Sequence, residues 1–66
     1  MELKLYVPDM ACSACRDTIT AAIQAIDPAV TVRADLETKW LQIETTAPEP
    51  RVRQVIQRAG YTIKEV

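Results

Sequence analysis

Leu3, Leu5 and Val7 alternate with Glu2, Lys4 and Tyr6. A period of two is what a strand shows when one face packs and the other meets water, so the chain opens with a half-buried strand that Pro8 ends. From Ile19 the period changes: Ile19, Ala22, Ile23 and Ile26 fall at i, i+3, i+4 and i+7, one apolar stripe along a helix. Ser13 is the expected N-cap, with Cys15 and Asp17 near the positive helix end. Asp27-Pro28 stops this helix.

Val30, Val32, Ala34 and Leu36 then share one parity and predict a second strand. A polar turn at Glu37-Thr38-Lys39 leads to a third strand through Leu41, Ile43 and Thr45, and two strands so joined form an antiparallel hairpin. Pro48 and Pro50 mark the start of a second helix, whose stripe is Val52, Val55, Ile56 and Ala59, with Gly60 placed to end it. Tyr61 to Val66 reads as a short closing strand with Ile63 inward. The order is βαββαβ, an α+β ferredoxin-like sandwich: a four-stranded antiparallel sheet with two helices on one face. In that topology the junction after the first strand and the junction after the second helix come to the same end of the sheet, so Tyr61 is expected near the loop around residue 12.

At 66 residues, with 48% apolar and 26% charged side chains and a single glycine, the chain reads as one ordered domain spanning 1–66 with no linker. The N-terminus alternates and resembles neither a signal peptide nor a membrane span; a reducing cytoplasm is the expected compartment. A net charge of −1, one Trp, two Tyr and no Phe argue against a nucleic-acid surface. Arg51, Arg53 and Arg58 cluster late in the chain; they read either as a solvated helix face or, with Arg16, as a cationic patch that steers an acidic protein partner. Trp40 has outward parity on the third strand.

Chemistry concentrates in Met10-Ala11-Cys12-Ser13-Ala14-Cys15, which holds the only two cysteines of the chain. The spacing converges both sulfurs on one point, and helix N–H groups beginning there favour thiolate over thiol. Arg16 beside Cys15 adds positive charge. Two cysteines three apart restrain little chain as a disulfide. Alone, the pair reads as half a zinc site, a redox pair or a complete two-coordinate site. With no histidine and no third cysteine, a closed tetrahedral zinc site within one chain would need carboxylates or a second molecule; soft Cu(I) is satisfied by two or three sulfurs.

The whole pattern resembles the heavy-metal-associated domain family, in which small copper chaperones and the soluble N-terminal domains of copper-transporting P-type ATPases are found. The likeness rests on Met-x-Cys-x-x-Cys after the first strand, Asp35-Leu36-Glu37-Thr38-Lys39 at the hairpin turn, and Ala59-Gly60-Tyr61 after the second helix. It implies a carrier, not an enzyme, in which Cys12 and Cys15 bind Cu(I) and transfer it by thiolate exchange to the soluble metal-binding domain of a P-type ATPase, as a monomer or a metal-bridged dimer. It implies that Met10 anchors the loop in the core rather than ligating, and that the Tyr61 hydroxyl approaches a cysteine sulfur and damps its charge; the plain alternative for Tyr61 is a half-buried tyrosine at a strand end. Asp9 and Ala11 depart from the family's usual glycine and threonine or serine. Asp9 is a candidate oxygen ligand, and Ala11 stands where zinc-exporting relatives tend to place an acid, which favours Cu(I) without excluding Zn(II), Ag(I) or Hg(II). The rival readings are an excised ATPase domain, a thiol redox protein, and a metal buffer or sensor that dimerises through shared ions.

Overall fold

The computed structural model describes residues 2–64, and five elements follow in order: β1 (Glu2–Tyr6), α1 (Ser13–Gln24), β2 (Thr31–Asp35), β3 (Trp40–Glu44) and α2 (Glu49–Arg58). The strands form an antiparallel sheet in the order β1-β3-β2. Its register sets Leu3 opposite Ile43 and Leu5 opposite Leu41, with Val32 and Ala34 completing the same rows on β2. Side chains alternate across a strand, so this register gathers the apolar positions of all three strands on one face. Ile19 and Ile23 of α1 and Val52 and Ile56 of α2 close over that face in one continuous core. The opposite face carries Lys4, Arg33 and Gln42. There Tyr6 and Trp40 pack with ring centroids 5.4 Å apart, and the Lys4 ammonium lies over the Trp40 ring at 5.2 Å, so Trp40 is a packed residue of the open face.

The expected four-stranded sheet has three strands among the described residues. Of the closing strand expected at Tyr61–Val66, the described residues show one antiparallel bridge between Tyr6 and Lys64, with the Lys64 N–H donating to the Tyr6 carbonyl at 2.9 Å; positions 65 and 66 lie outside the described residues. Pairing ends on the Thr62 side of that bridge because of Pro8. Continuing the antiparallel register sets Thr62 opposite Pro8, which has no N–H to give and whose ring ends the strand.

Two turns differ in detail from what periodicity predicts. The N-cap of α1 is Cys12, extended at φ −150°, rather than Ser13, and no side chain caps the helix; Asp17 lies beyond the first turn and pairs with Arg16 at 3.3 Å. In the β2–β3 hairpin, Asp35 Oδ1 accepts the N–H groups of Glu37 and Thr38 at 2.9 and 3.1 Å, and Lys39 takes a left-handed φ of 69°. The Asp35 side chain thus stabilises a turn that has no glycine.

The end of α2 aims the chain back toward the β1–α1 loop. Gly60 sits at φ 100°; its N–H donates to Gln57 O at 3.0 Å and that of Tyr61 to Ile56 O at 3.3 Å. These are the two bonds of a Schellman motif, and they fix the direction in which Tyr61 leaves the helix. At the opposite end of the sheet, Asp27 accepts the Thr45 hydroxyl and the Ala29 and Thr46 N–H groups, which hold its carboxyl below the usual carboxylate range.

Met10→Ala, which empties a fully buried position, lowers the unfolding free energy by about 2–5 kcal/mol in urea titration. Because the native Asp27 pKa is depressed, the unfolded chain binds the proton first; the stabilisation is complete above the unfolded value of 3.8 and is lost as pH falls through the lower native one. Asp27→Asn therefore lowers the melting temperature at pH 7 and flattens the loss of stability on acidification below about pH 4, as read by circular dichroism.

Candidate functional site

The β1–α1 loop passes from full burial to exposure at the very next residue. Val7 and Met10 are both 0% exposed, tied to each other by Met10 N–H to Val7 O at 3.1 Å and to the hairpin by Val7 N–H to Lys39 O at 2.9 Å. Ala11, Cys12, Ser13 and Ala14 beyond them are all exposed. Met10 is spent on the core, and the chain after it is presented to solvent by a loop whose root is rigid.

Cys12 and Cys15 are both free thiols, Cys12 exposed and Cys15 half-buried. Their sulfurs lie 3.0 Å apart, a hydrogen bond in which either can be the donor. Arg16 N–H closes the first turn on the Cys12 carbonyl at 3.1 Å, which places Cys15 at the helix start. The Cys15 pKa is lowered from 9.0 to about 7: the largest cause is the Tyr61 hydroxyl, followed by the Cys12 thiol and the Ala11 N–H, with burial opposing and the Cys12 N–H adding a smaller share. Near neutral pH Cys15 is therefore close to half thiolate. Tyr61 shows the reciprocal effect. Its own pKa is raised, first by the hydrogen bond to Cys15, then by burial and by the nearby sulfur charges.

Tyr61, far from Cys15 along the chain, packs with it against the same core, and each shifts the pKa of the other. Thr18, which sequence reasoning does not single out, has a small opposing influence and lowers the Tyr61 pKa slightly. The available signal is spacing: Thr18 follows Cys15 by three positions, on the same helix face. Thr18 is itself oriented by donating to Ala14 O at 2.9 Å.

Asp9, a candidate oxygen ligand on sequence grounds, is engaged elsewhere. Both its carboxylate oxygens accept the Thr62 N–H, at 3.2 and 3.1 Å. The cationic residues are dispersed rather than gathered at the loop. Arg16 pairs with Asp17 at 3.3 Å, Arg53 with Glu49 at 2.8 Å, and Arg51 donates to Gln54 at 2.9 Å. Arg51 lies near the start of α2, about 10 Å along the axis from the end that leads to Tyr61. Of the five arginines in the chain, Arg16 alone stands next to the cysteine pair in sequence.

What the pair can hold is set by donor count and reach. No group of three or more His, Cys, Asp or Glu side chains converges among the described residues, so the donors fit an ion content with two sulfurs rather than a closed tetrahedral site. A metal–sulfur bond of about 2.3 Å on each side, in line, needs the sulfurs roughly 4.6 Å apart. The 3.0 Å pair must open to admit an ion, and exposure of Cys12 leaves room for that rotation.

A two-layer α+β unit that projects a reduced thiol pair from a rigidly rooted loop defines a class of small thiol-presenting domains. Comparison with family models makes the assignment specific: the heavy-metal-associated domain matches residues 4–62, and the chain belongs to that family. Among solved structures, a histidine-to-tyrosine variant of the copper chaperone Atx1 from Synechocystis, in a trimeric copper form, matches with TM-score 0.91 and 37% identity over 94% of this chain and 98% of that one. The cyanobacterial copper metallochaperone ScAtx1, a solution structure, matches at 0.82 and 36% over 97% and 100%. A gold-binding protein matches at 0.88 and 28% over 96% and 97%. No curated protein matches the chain. The copper chaperones are carriers rather than enzymes, and no helix among the described residues is long and apolar enough to cross a membrane.

Removing the Tyr61 hydroxyl removes the largest cause of the low Cys15 pKa. In Tyr61→Phe the pH midpoint of Cys15 alkylation by iodoacetamide, followed by mass spectrometry in a Cys12→Ser background beside its Tyr61 parent, moves upward. An unchanged midpoint would contradict the contact.

Proposed function

We propose that the chain is a Cu(I) carrier that binds one ion between Cys12 and Cys15 and passes it to the soluble metal-binding domain of a copper-transporting P-type ATPase. The observation that carries this reading is the sulfur pair itself: 3.0 Å apart and unbridged, with Cys12 exposed. Copper is cargo here, not a resident cofactor. The ion takes both sulfurs as thiolates, so loading releases whatever protons the pair still carries.

Transfer proceeds by substitution at the metal. An incoming partner thiol loses its proton and adds its sulfur to the ion, giving a three-sulfur intermediate. One sulfur of the carrier then dissociates and takes up a proton, and a second exchange completes the handover without free copper. Tyr61 and the loop amides stabilise negative charge on Cys15, whereas Cys12 is the more exposed member of the pair. Cys12 is the sulfur that a partner reaches first, and Cys15 the one that retains the ion until the second exchange.

The donor set is soft and small, which favours Cu(I) and, in vitro, Ag(I) or Hg(II) over Zn(II), whose preference is for four ligands. The neighbours widen this range on their own account: one is a gold-binding protein, and another is described under crosstalk between Cu(I) and Zn(II) homeostasis. The trimeric copper form of the Atx1 variant favours a second state, in which the exposed pair shares copper between copies when metal exceeds partner. The working compartment is the cytoplasm, where the thiols stay reduced. The 1–66 unit acts as a single domain.

Replacing both Cys12 and Cys15 with serine abolishes stoichiometric Cu(I) binding in competition with a chromophoric chelator, while the circular dichroism spectrum and urea midpoint stay near those of the parent. Retained one-to-one binding would refute the proposed ligands.

A further inference from the structure

Asp9 occupies a place where the backbone ladder is interrupted. The Tyr6–Lys64 bridge sets the antiparallel register between β1 and the last described segment, and the next pairing in that register joins Thr62 to Pro8. Proline cannot donate and ends the strand, so a reciprocal backbone pair cannot form there. The Thr62 N–H is instead taken by both oxygens of the Asp9 carboxylate, at 3.2 and 3.1 Å. A side chain thus replaces a missing rung of the sheet.

Both ends of this contact are anchored. Asp9 lies between Val7 and Met10, each 0% exposed, which fix the backbone from which the carboxylate projects. Thr62 comes after the Schellman turn, whose Gly60 and Tyr61 N–H groups are committed to Gln57 O and Ile56 O. Between Gly60 and the Asp9 contact there is one residue, Tyr61, which packs half-buried against the same core as Cys15 and shares with it the interaction that lowers the Cys15 pKa and raises its own. Fixing the backbone on both sides of a half-buried tyrosine limits the positions its ring can take.

We infer that Asp9 is a positioning residue: its carboxylate clamps the Thr62 N–H and thereby holds the Tyr61 hydroxyl against Cys15. The inference rests on the copper-carrier reading for its consequence, since what the clamp steadies is a sulfur proposed to bind cargo. The clamp itself is a property of the metal-free chain. Alanine at position 9 removes both acceptors. Asparagine retains one carbonyl oxygen of the same reach and restores the contact without the charge.

The test compares the parent, Asp9→Ala, Asp9→Asn, Tyr61→Phe and the Asp9→Ala/Tyr61→Phe double variant. In the metal-free protein, Asp9→Ala speeds hydrogen exchange of the Thr62 amide by at least about tenfold relative to the neighbouring core amides and weakens the NMR cross-peak between the Tyr61 ring and the Cys15 β-protons; Asp9→Asn keeps both near parent values. In the copper-loaded protein, the rate of Cu(I) loss to a chelator changes by about fivefold in Asp9→Ala, the scale of one hydrogen bond, in the same direction as in Tyr61→Phe. The double variant matches Tyr61→Phe alone, as expected of residues acting through one contact. Unchanged Thr62 exchange and an unchanged Tyr61–Cys15 cross-peak in Asp9→Ala would overturn the clamp, and an Asp9→Ala effect that persists in full on the Tyr61→Phe background would overturn its action through Tyr61. Failure of the parent to bind copper would count against the carrier reading alone, because the exchange and cross-peak measurements are made without metal.

Discussion

Met10 is wholly buried and Cys12 is exposed, and this change of environment across a single intervening residue is the constraint on which the rest depends. A thiol pair placed in the core would be desolvated and inert. One on a loosely held loop would sacrifice geometry. Here Val7 and Met10 sink the root of the loop into the same cluster that closes the sheet and both helices, so the fold's largest stabilising contribution, apolar burial, also fixes the place from which the sulfurs project. Core and site are coupled mechanically while remaining separate chemically.

On that rigid base the electrostatics are local. The Cys15 thiolate is stabilised mainly by a phenol from the far end of the chain, then by a neighbouring thiol and backbone amides, not by a formal positive charge. Arg16, the nearest cation in sequence, is turned to Asp17. Neutral donors stabilise a thiolate without supplying a fixed countercharge, and they can stay in place while the sulfur exchanges a proton for a soft ion. This suits a carrier, which must hold its cargo firmly and release it by substitution rather than by dissociation.

Much of the architecture is legible from residue order because the periodicities are clean. Leu3-Leu5-Val7 and the Ile19/Ile23 stripe identify their elements directly, and topology alone sets the turn after α2 at the same end of the sheet as the cysteine loop. Features that depend on single hydrogen bonds are not legible. The Asp35 contacts in the hairpin where Lys39 turns left-handed, and the Asp9 contact that replaces a ladder bond at Pro8, have no periodic signature. The end of pairing on the Thr62 side of the Tyr6–Lys64 bridge has a related cause: Pro8 visibly ends β1, but its effect on the segment opposite emerges only once the register across the sheet is known. Asp9 invites reading as a hard ligand because it is an acid near two thiols. Its carboxylate is occupied by a backbone N–H that only the folded chain brings within reach.

The central claim is that two sulfurs and no other side chain take the ion. X-ray absorption at the copper edge, on protein loaded with one equivalent of Cu(I), measures this directly. The expected result is a shell of about two to three sulfur scatterers with no nitrogen or oxygen, the third sulfur appearing only where copies or an added thiol share the metal. A four-coordinate shell containing oxygen or nitrogen, or a spectrum unaffected by loss of Cys12 and Cys15, would contradict it.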